Sequence, residues 1–158
     1  MFQKRKIGKT IDQLEIGDTY ETETALNDKD ILLYLGLSDD ANPIYIQHDY
    51  ASRTPYGKPV VPHIMLAGMV SSAISMQLPG PGCYIQEHHL KYPKPLYHYG
   101  LLKIHLEVTA MDTDNHLVTI QVNGYDRDDE EVLTGHFQVS PAYPWKPVTQ
   151  DAGNFENF

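Results

Sequence analysis

Residues 38–45 (SDDANPIY) carry the side chains with the clearest potential for chemistry. They place a carboxylate, Asp40, an amide, Asn42, and a phenol, Tyr45, around the rigid corner that Pro43 imposes. A carboxylate can take a proton from water, and a nearby phenol can donate a hydrogen bond to the same water. The same residues also fit an Asx turn that caps a helix, and the residues alone favour that simpler interpretation.

The helices and strands that position this segment are predicted from hydrophobic periodicity and from turn residues. Alternation predicts a short strand over 18–25, and Asn27 or Asp28 can cap a helix over about 29–37. Pro62 is well placed to begin a second helix that runs to Gln77, whose small and apolar residues predict burial. Four further strands are predicted, over 84–92, 102–110, 116–125 and 131–139. This order is typical of an α+β domain in which an antiparallel sheet wraps around one buried helix.

The segment 38–45 resembles the hydratase motif of the MaoC-like (R)-specific enoyl-CoA hydratases. That motif runs Ser, Gly or an acidic residue, Asp, any residue, Asn, Pro, an aliphatic residue and His. The spacing continues through the helix entry at 59–61, the central helix and its exit at 65–80, and the strand end at 90–96. The resemblance covers roughly residues 18–139 and implies a hotdog fold, an antiparallel sheet wrapped around a long central helix.

The resemblance also divides the chain. We expect residues 1–139 to form a single hotdog domain and residues 140–158 to form a C-terminal tail, with Trp145 or Phe155 as its candidate anchor.

By position, the resemblance implies roles for five residues. Asp40 matches the Asp of the family, the general base that takes a proton from water, and Tyr45 stands where the family has the catalytic His. Asn42, His63 and Ser71 are assigned to substrate binding. In the family, a backbone N–H at the helix start polarises the thioester carbonyl, which here falls to His63, and a serine of the central helix falls at Ser71.

Two departures from the motif keep the function open. Tyr45 replaces the His, and Pro62-His63 replaces the His-Gly pair at the helix start. An unperturbed Tyr titrates near pH ~10 and a His near ~6.5, so Tyr45 is a poor base at neutral pH. His63 is a candidate for the missing imidazole, and His48 is a weaker one. The resemblance implies reversible hydration of enoyl thioesters, an enoyl-CoA hydratase or dehydratase; the alternative is a hotdog protein that binds or hydrolyses acyl thioesters.

The implied partner is an acyl-CoA or an acyl-carrier-protein thioester. The cationic side chains available for its phosphates are Arg53, Lys58, Lys91 and Lys94. No cofactor is implied. Because the predicted strands are too few to cover an apolar helix of this length, we also expect a homodimer or a higher homo-oligomer.

Composition argues against several other classes of partner and site. A formal charge of −9 argues against a nucleic-acid partner. The single Cys83 permits no internal disulfide, and the eight His residues show no zinc spacing, so no metal is expected. The sequence lacks an apolar run of membrane-spanning length and a signal-type N-terminus, which predicts a cytoplasmic protein without a membrane partner.

Overall fold

The structure is a computed structural model, and it describes residues 6–144 of the 158-residue chain. After a short 3₁₀ turn at Ile11–Gln13, the helices are α1 (Asp28–Ser38), α2 (Pro43–Ile46), α3 (His48–Ala51) and α4 (His63–Met76). The strands are β1 (Thr19–Ala25), β2 (Tyr84–Lys91), β3 (Leu101–Asp112), β4 (Leu117–Tyr125) and β5 (Glu131–Ser140). The predicted order of one strand, helices and four strands is confirmed.

The five strands form one antiparallel sheet in the order β1-β3-β4-β5-β2, so β1 and β2 are its edges. Strand β3 buries every second residue from Leu102 to Val108, and β4 does the same from Val118 to Gly124. Helix α4 adds Leu66, Val70 and Ile74 to the same core, which is the hotdog arrangement that was expected.

Helix boundaries follow local hydrogen bonding. Asn27 caps α1, and its own N–H donates to Asp30 Oδ2 at 2.9 Å, which closes a capping box. Helix α4 begins at His63, one residue later than predicted, because Pro62 has an extended ψ of 129° and occupies the cap position.

The expectation that α4 is buried over most of its surface is wrong for the single chain. The helix packs one face on the sheet but leaves Ile64 64% exposed and Met76 59% exposed. Gly68 and Ser72 are exposed too, and residues four apart lie on one side of a helix. A nearly continuous stripe of α4 therefore faces outward, although its composition is that of a core helix.

The segment after residue 139 begins in an ordered way. Ser140 is the last residue of β5, and buried Ala142 forms a parallel bridge with Thr10. Trp145 and Phe155, the candidate anchors, lie outside the described residues, and the domain boundary at 139 stays a prediction. Within residues 6–144, no helix has both the length and the apolar character needed to cross a membrane.

Candidate active site

The segment 38–45 forms the corner between α1 and α2. Asn42 Oδ1 accepts a hydrogen bond from the Ile44 N–H at 3.1 Å, and Pro43 is the first residue of α2. Asn42 therefore forms the Asx-type cap that the sequence favoured, and this cap fixes the start of α2, the helix that carries Tyr45. Val60 N–H donates to Ile44 O at 3.1 Å, which ties this corner to the strand-like entry into α4.

Asp40 accepts a hydrogen bond from one phenol, and its charge influences the pKa of a second. Tyr34 donates its hydroxyl to Asp40 Oδ2 at 3.0 Å. Burial, and then the negative charge of Asp40, raise the pKa of Tyr45, while the side chain of Asn42 acts in the opposite direction. Because this phenol holds its proton at neutral pH, the Tyr45 hydroxyl is able to donate a hydrogen bond but is a poor base. Asp40 is the group of this cluster that can accept a proton.

His63 occupies the first position of α4. Its ring stacks on Tyr92, with centroids 4.1 Å apart and an angle of 16° between the planes. Burial lowers the pKa of His63, so its imidazole is neutral near pH 7. No described side chain caps this helix end, which leaves backbone N–H groups at the positive end of the helix dipole available to an oxygen atom.

Ser71 lies about two helical turns beyond His63, in a groove of about 630 Å³ between α4 and the edge strand β2. Its walls include Gly68 from the helix, His88 from β2 and Phe137 from β5. A larger concavity of about 740 Å³ lies at the other end of α4, against Met76 and Gln77, and its lining contains none of the five expected site residues. Ser71 is the only one of the five expected residues that lines the smaller groove, and Asp40, Asn42, Tyr45 and His63 line neither of the two.

Similarity to known proteins identifies the family. A family profile described as "MaoC like domain" matches residues 11–129. The chain belongs to the MaoC-like family.

Relatives of this MaoC-like chain include an (R)-specific enoyl-CoA hydratase of Aeromonas caviae, 25% identical over 126 residues, which are 80% of this chain and 94% of the relative. A 3-hydroxybutyryl-CoA dehydratase of Methylorubrum extorquens is 26% identical over 100 residues, 63% of this chain, and the match spans only 64% of the relative's length. Among solved structures, R-hydratase PhaJ1 of Pseudomonas aeruginosa superposes with a TM-score of 0.79 at 22% identity, over 89% of this chain and 95% of that one. This structural likeness supports the hotdog fold.

The MaoC-like structure brings some of the expected residues together and leaves others apart. Asp40, Asn42 and Tyr45 share one corner, as the spacing around Pro43 predicted. His63 contacts Tyr92 instead, and within residues 6–144 it forms no hydrogen bond with this corner. The roles of all five residues stay predictions.

Tyr34, which donates the direct hydrogen bond to Asp40, was not among the predicted site residues. The available signal was a Tyr six residues before the Asp, near the end of a predicted helix. That spacing becomes a contact only because Asp39 adopts the left-handed conformation (φ 56°, ψ 18°) and reverses the chain.

The cationic side chains considered as ligands for the phosphates of the acyl carrier have different surroundings. Lys94 pairs with Glu130, so it is engaged within the protein. Lys58 lies over the Tyr97 ring, 4.5 Å from its centroid, a contact that holds the ammonium at the surface. Arg53 and Lys91 are exposed. In the part of the chain that the structure describes, no three His, Cys, Asp or Glu side chains are grouped to hold a metal ion.

Proposed function

We propose that this MaoC-like protein catalyses the reversible, (R)-specific hydration of trans-2-enoyl thioesters to 3-hydroxyacyl thioesters. The observation that carries the proposal is the partly buried carboxylate of Asp40, which accepts a hydrogen bond from Tyr34 and, in addition to burial, raises the pKa of Tyr45 through its charge. The two relatives described above, one named an (R)-specific enoyl-CoA hydratase and the other a 3-hydroxybutyryl-CoA dehydratase, support the same reaction class.

In the hydration direction Asp40 removes a proton from water as the water oxygen bonds to C3 of the enoyl group. The electrons of the C2–C3 double bond move toward the thioester carbonyl, and the protonated Asp40 then returns a proton to C2. The Tyr45 hydroxyl donates to the water oxygen and orients its lone pair toward C3. The reaction is neutral in protons and electrons, and it consumes only water.

Negative charge develops on the thioester carbonyl oxygen during this reaction. The open end of α4 supplies backbone N–H donors, among them that of His63, and its positive dipole end favours such charge. Pro62 at the cap has no N–H, so this role begins at position 63. The stack on Tyr92 keeps the His63 side chain in one orientation beside the helix start.

The test measures hydration of the enoyl group and release of free thiol in one sample. With crotonyl-CoA, the proposal predicts loss of the enoyl thioester absorbance without release of free thiol, and chiral analysis then yields the (R)-3-hydroxyacyl product. Thiol release would instead identify a thioesterase. Binding of acyl-CoA without either change would identify a binding protein, the alternative that Tyr45 in place of His favours.

Replacing Tyr45 with His is expected to raise the rate of crotonyl-CoA hydration about 10-fold, because an imidazole titrates near the working pH and exchanges protons with water more readily. Tyr45→Phe, which removes the hydroxyl and keeps the ring, is expected to lower it. Initial rates of the three proteins at saturating substrate provide the comparison. An unchanged or lower rate for Tyr45→His would contradict the assignment of Tyr45 to the His position.

We further propose that the active form is a homodimer, made through the outward stripe of α4 and the free edge of β2. Ile64, Gly68 and Met76 present an apolar surface there, and β2 pairs with β5 along only one of its edges. Light scattering after size exclusion should give twice the chain mass of 17.9 kDa.

Gly68→Arg is expected to convert the dimer to a monomer, because a side chain at 68 meets nothing within the chain and projects into the partner. Gly36→Arg is the matched control, since a side chain on exposed position 36 of α1 also has open space around it. A wild-type monomer, or a dimer that survives Gly68→Arg, would refute this interface. The cytoplasmic location and the choice between CoA and carrier protein stay predictions.

A further inference from the structure

The chain reverses direction after the last turn of α1, and this reversal positions Asp40. Asp39 ends the helix in the left-handed conformation, and its N–H donates to Leu35 O at 2.9 Å. The chain therefore reverses after residue 39, and the side chain at 40 returns alongside the turn that contains Tyr34. A residue six positions earlier in the sequence becomes a direct neighbour.

Tyr34 holds Asp40 through two separate routes. Its hydroxyl donates to Asp40 Oδ2 at 3.0 Å. Its carbonyl accepts a hydrogen bond from Ser38 Oγ at 2.7 Å, and the same Oγ accepts one from the Asp40 N–H at 3.2 Å. Both the backbone and the carboxylate of Asp40 are thus fixed relative to one tyrosine, which restricts the rotation of the carboxylate.

The two carboxylate oxygens are consequently not equivalent. Oδ2 is engaged by the Tyr34 hydroxyl, whereas Oδ1 accepts no hydrogen bond from a side chain or backbone group within residues 6–144. An ionised carboxylate has enough acceptor sites for both a phenol and a water molecule. The free oxygen is the one that can take a proton from water without first losing a partner.

We propose that Tyr34 is a positioning residue for the hydration reaction, which fixes Asp40 through Oδ2 and leaves Oδ1 as the atom that exchanges the proton. This inference rests on the proposed hydratase function. Tyr34 itself does not touch the substrate in this arrangement; it acts through Asp40.

Tyr34 is suited to that role because it remains a donor. Burial, followed by the hydrogen bond to Asp40, raises the pKa of Tyr34, so the phenol stays protonated at neutral pH. A hydrogen bond from a neutral donor to a charged acceptor is among the stronger ones in proteins. The arrangement therefore orients the carboxylate without neutralising it.

The experiment compares Tyr34→Phe with the wild type in the crotonyl-CoA assay. The ring and its packing are kept, and only the hydroxyl is lost. We expect kcat to fall about 10- to 100-fold, the usual consequence of losing a hydrogen bond to a charged group, with KM changed less than about 2-fold. Tyr50→Phe, on an exposed tyrosine of α3, is the matched control and should retain wild-type kcat.

A second comparison separates positioning from general damage. If Tyr34 acts through Asp40, adding Tyr34→Phe to Asp40→Asn causes no further loss of residual activity, whereas independent effects would multiply. An active wild type with an unimpaired Tyr34→Phe variant, or with multiplying losses in the double variant, overturns the inference and leaves the hydratase function standing. An inactive wild type overturns both.

Discussion

Asp40→Asn is expected to lower kcat for crotonyl-CoA hydration by about 10²- to 10⁴-fold, the range over which general acid–base catalysis contributes. Asn has nearly the same shape as Asp, and its amide oxygen can still accept the hydrogen bond from Tyr34, so the corner keeps its geometry. It cannot accept a proton from water at neutral pH, because an amide is not a base there. Steady-state kinetics on both proteins, with binding of crotonyl-CoA measured by calorimetry, tests this expectation.

The matched control removes the same charge outside the site. Asp49→Asn changes an exposed carboxylate on α3 and should leave the rate unaffected. Preserved binding together with lost turnover in Asp40→Asn is the expected pattern. Equal rates for wild type and Asp40→Asn would exclude Asp40 as the base, even if the protein proved to be a hydratase.

Phe137→Ala is expected to lower the free energy of unfolding by about 3–5 kcal/mol, because truncating a buried aromatic side chain leaves a cavity that the core closes only in part. Phe137 is 1% exposed and lies on β5 opposite Ile120 of β4 and His88 of β2. In a chain of this size the melting temperature should fall by on the order of 10 °C. Chemical denaturation and calorimetric scans measure the two quantities.

Tyr84→Ala provides the comparison for that loss, since Tyr84 is an aromatic residue of the neighbouring strand β2 that is 70% exposed. Its truncation should cost far less stability. If Phe137→Ala melted no lower than Tyr84→Ala, the burial of Phe137 in the core would be wrong.

Much of the fold was predictable from residue patterns. Strands β3 and β4 alternate apolar and polar residues so regularly that their buried faces follow from the sequence, and Asn27 marks the start of α1. These features depend on local chemistry, namely the side-chain period of a strand and the hydrogen bonds of a helix cap.

Two features were not predictable in the same way. Nearly every position of α4 is apolar or small, so the sequence contains no polar face to indicate which side the sheet leaves uncovered. The contact between Tyr34 and Asp40 depends on a left-handed Asp39, and an Asp adopts that conformation only in particular surroundings. Both depend on how separate elements meet, which a local pattern does not encode.

The site differs from the family motif in which of its side chains can exchange a proton near neutral pH. The imidazole expected at 45 is replaced by a protonated phenol, and a neutral imidazole appears at 63 beside the start of α4. In the proposed mechanism Asp40 is the base of this corner, and Tyr34 donates a hydrogen bond to it. Because that mechanism assigns both proton transfers to one carboxylate, its substitution has the largest expected effect on rate.

A crystal structure of Asp40→Asn bound to crotonyl-CoA would test the role of Asp40 most directly. The proposed mechanism predicts that the enoyl C3 lies near the side chain at 40, with one water between them at hydrogen-bond distance, roughly 2.6–3.2 Å, from that side chain. The thioester carbonyl should point at the first N–H groups of α4. An acyl group bound elsewhere, with the side chain at 40 facing bulk solvent, would contradict the proposed mechanism.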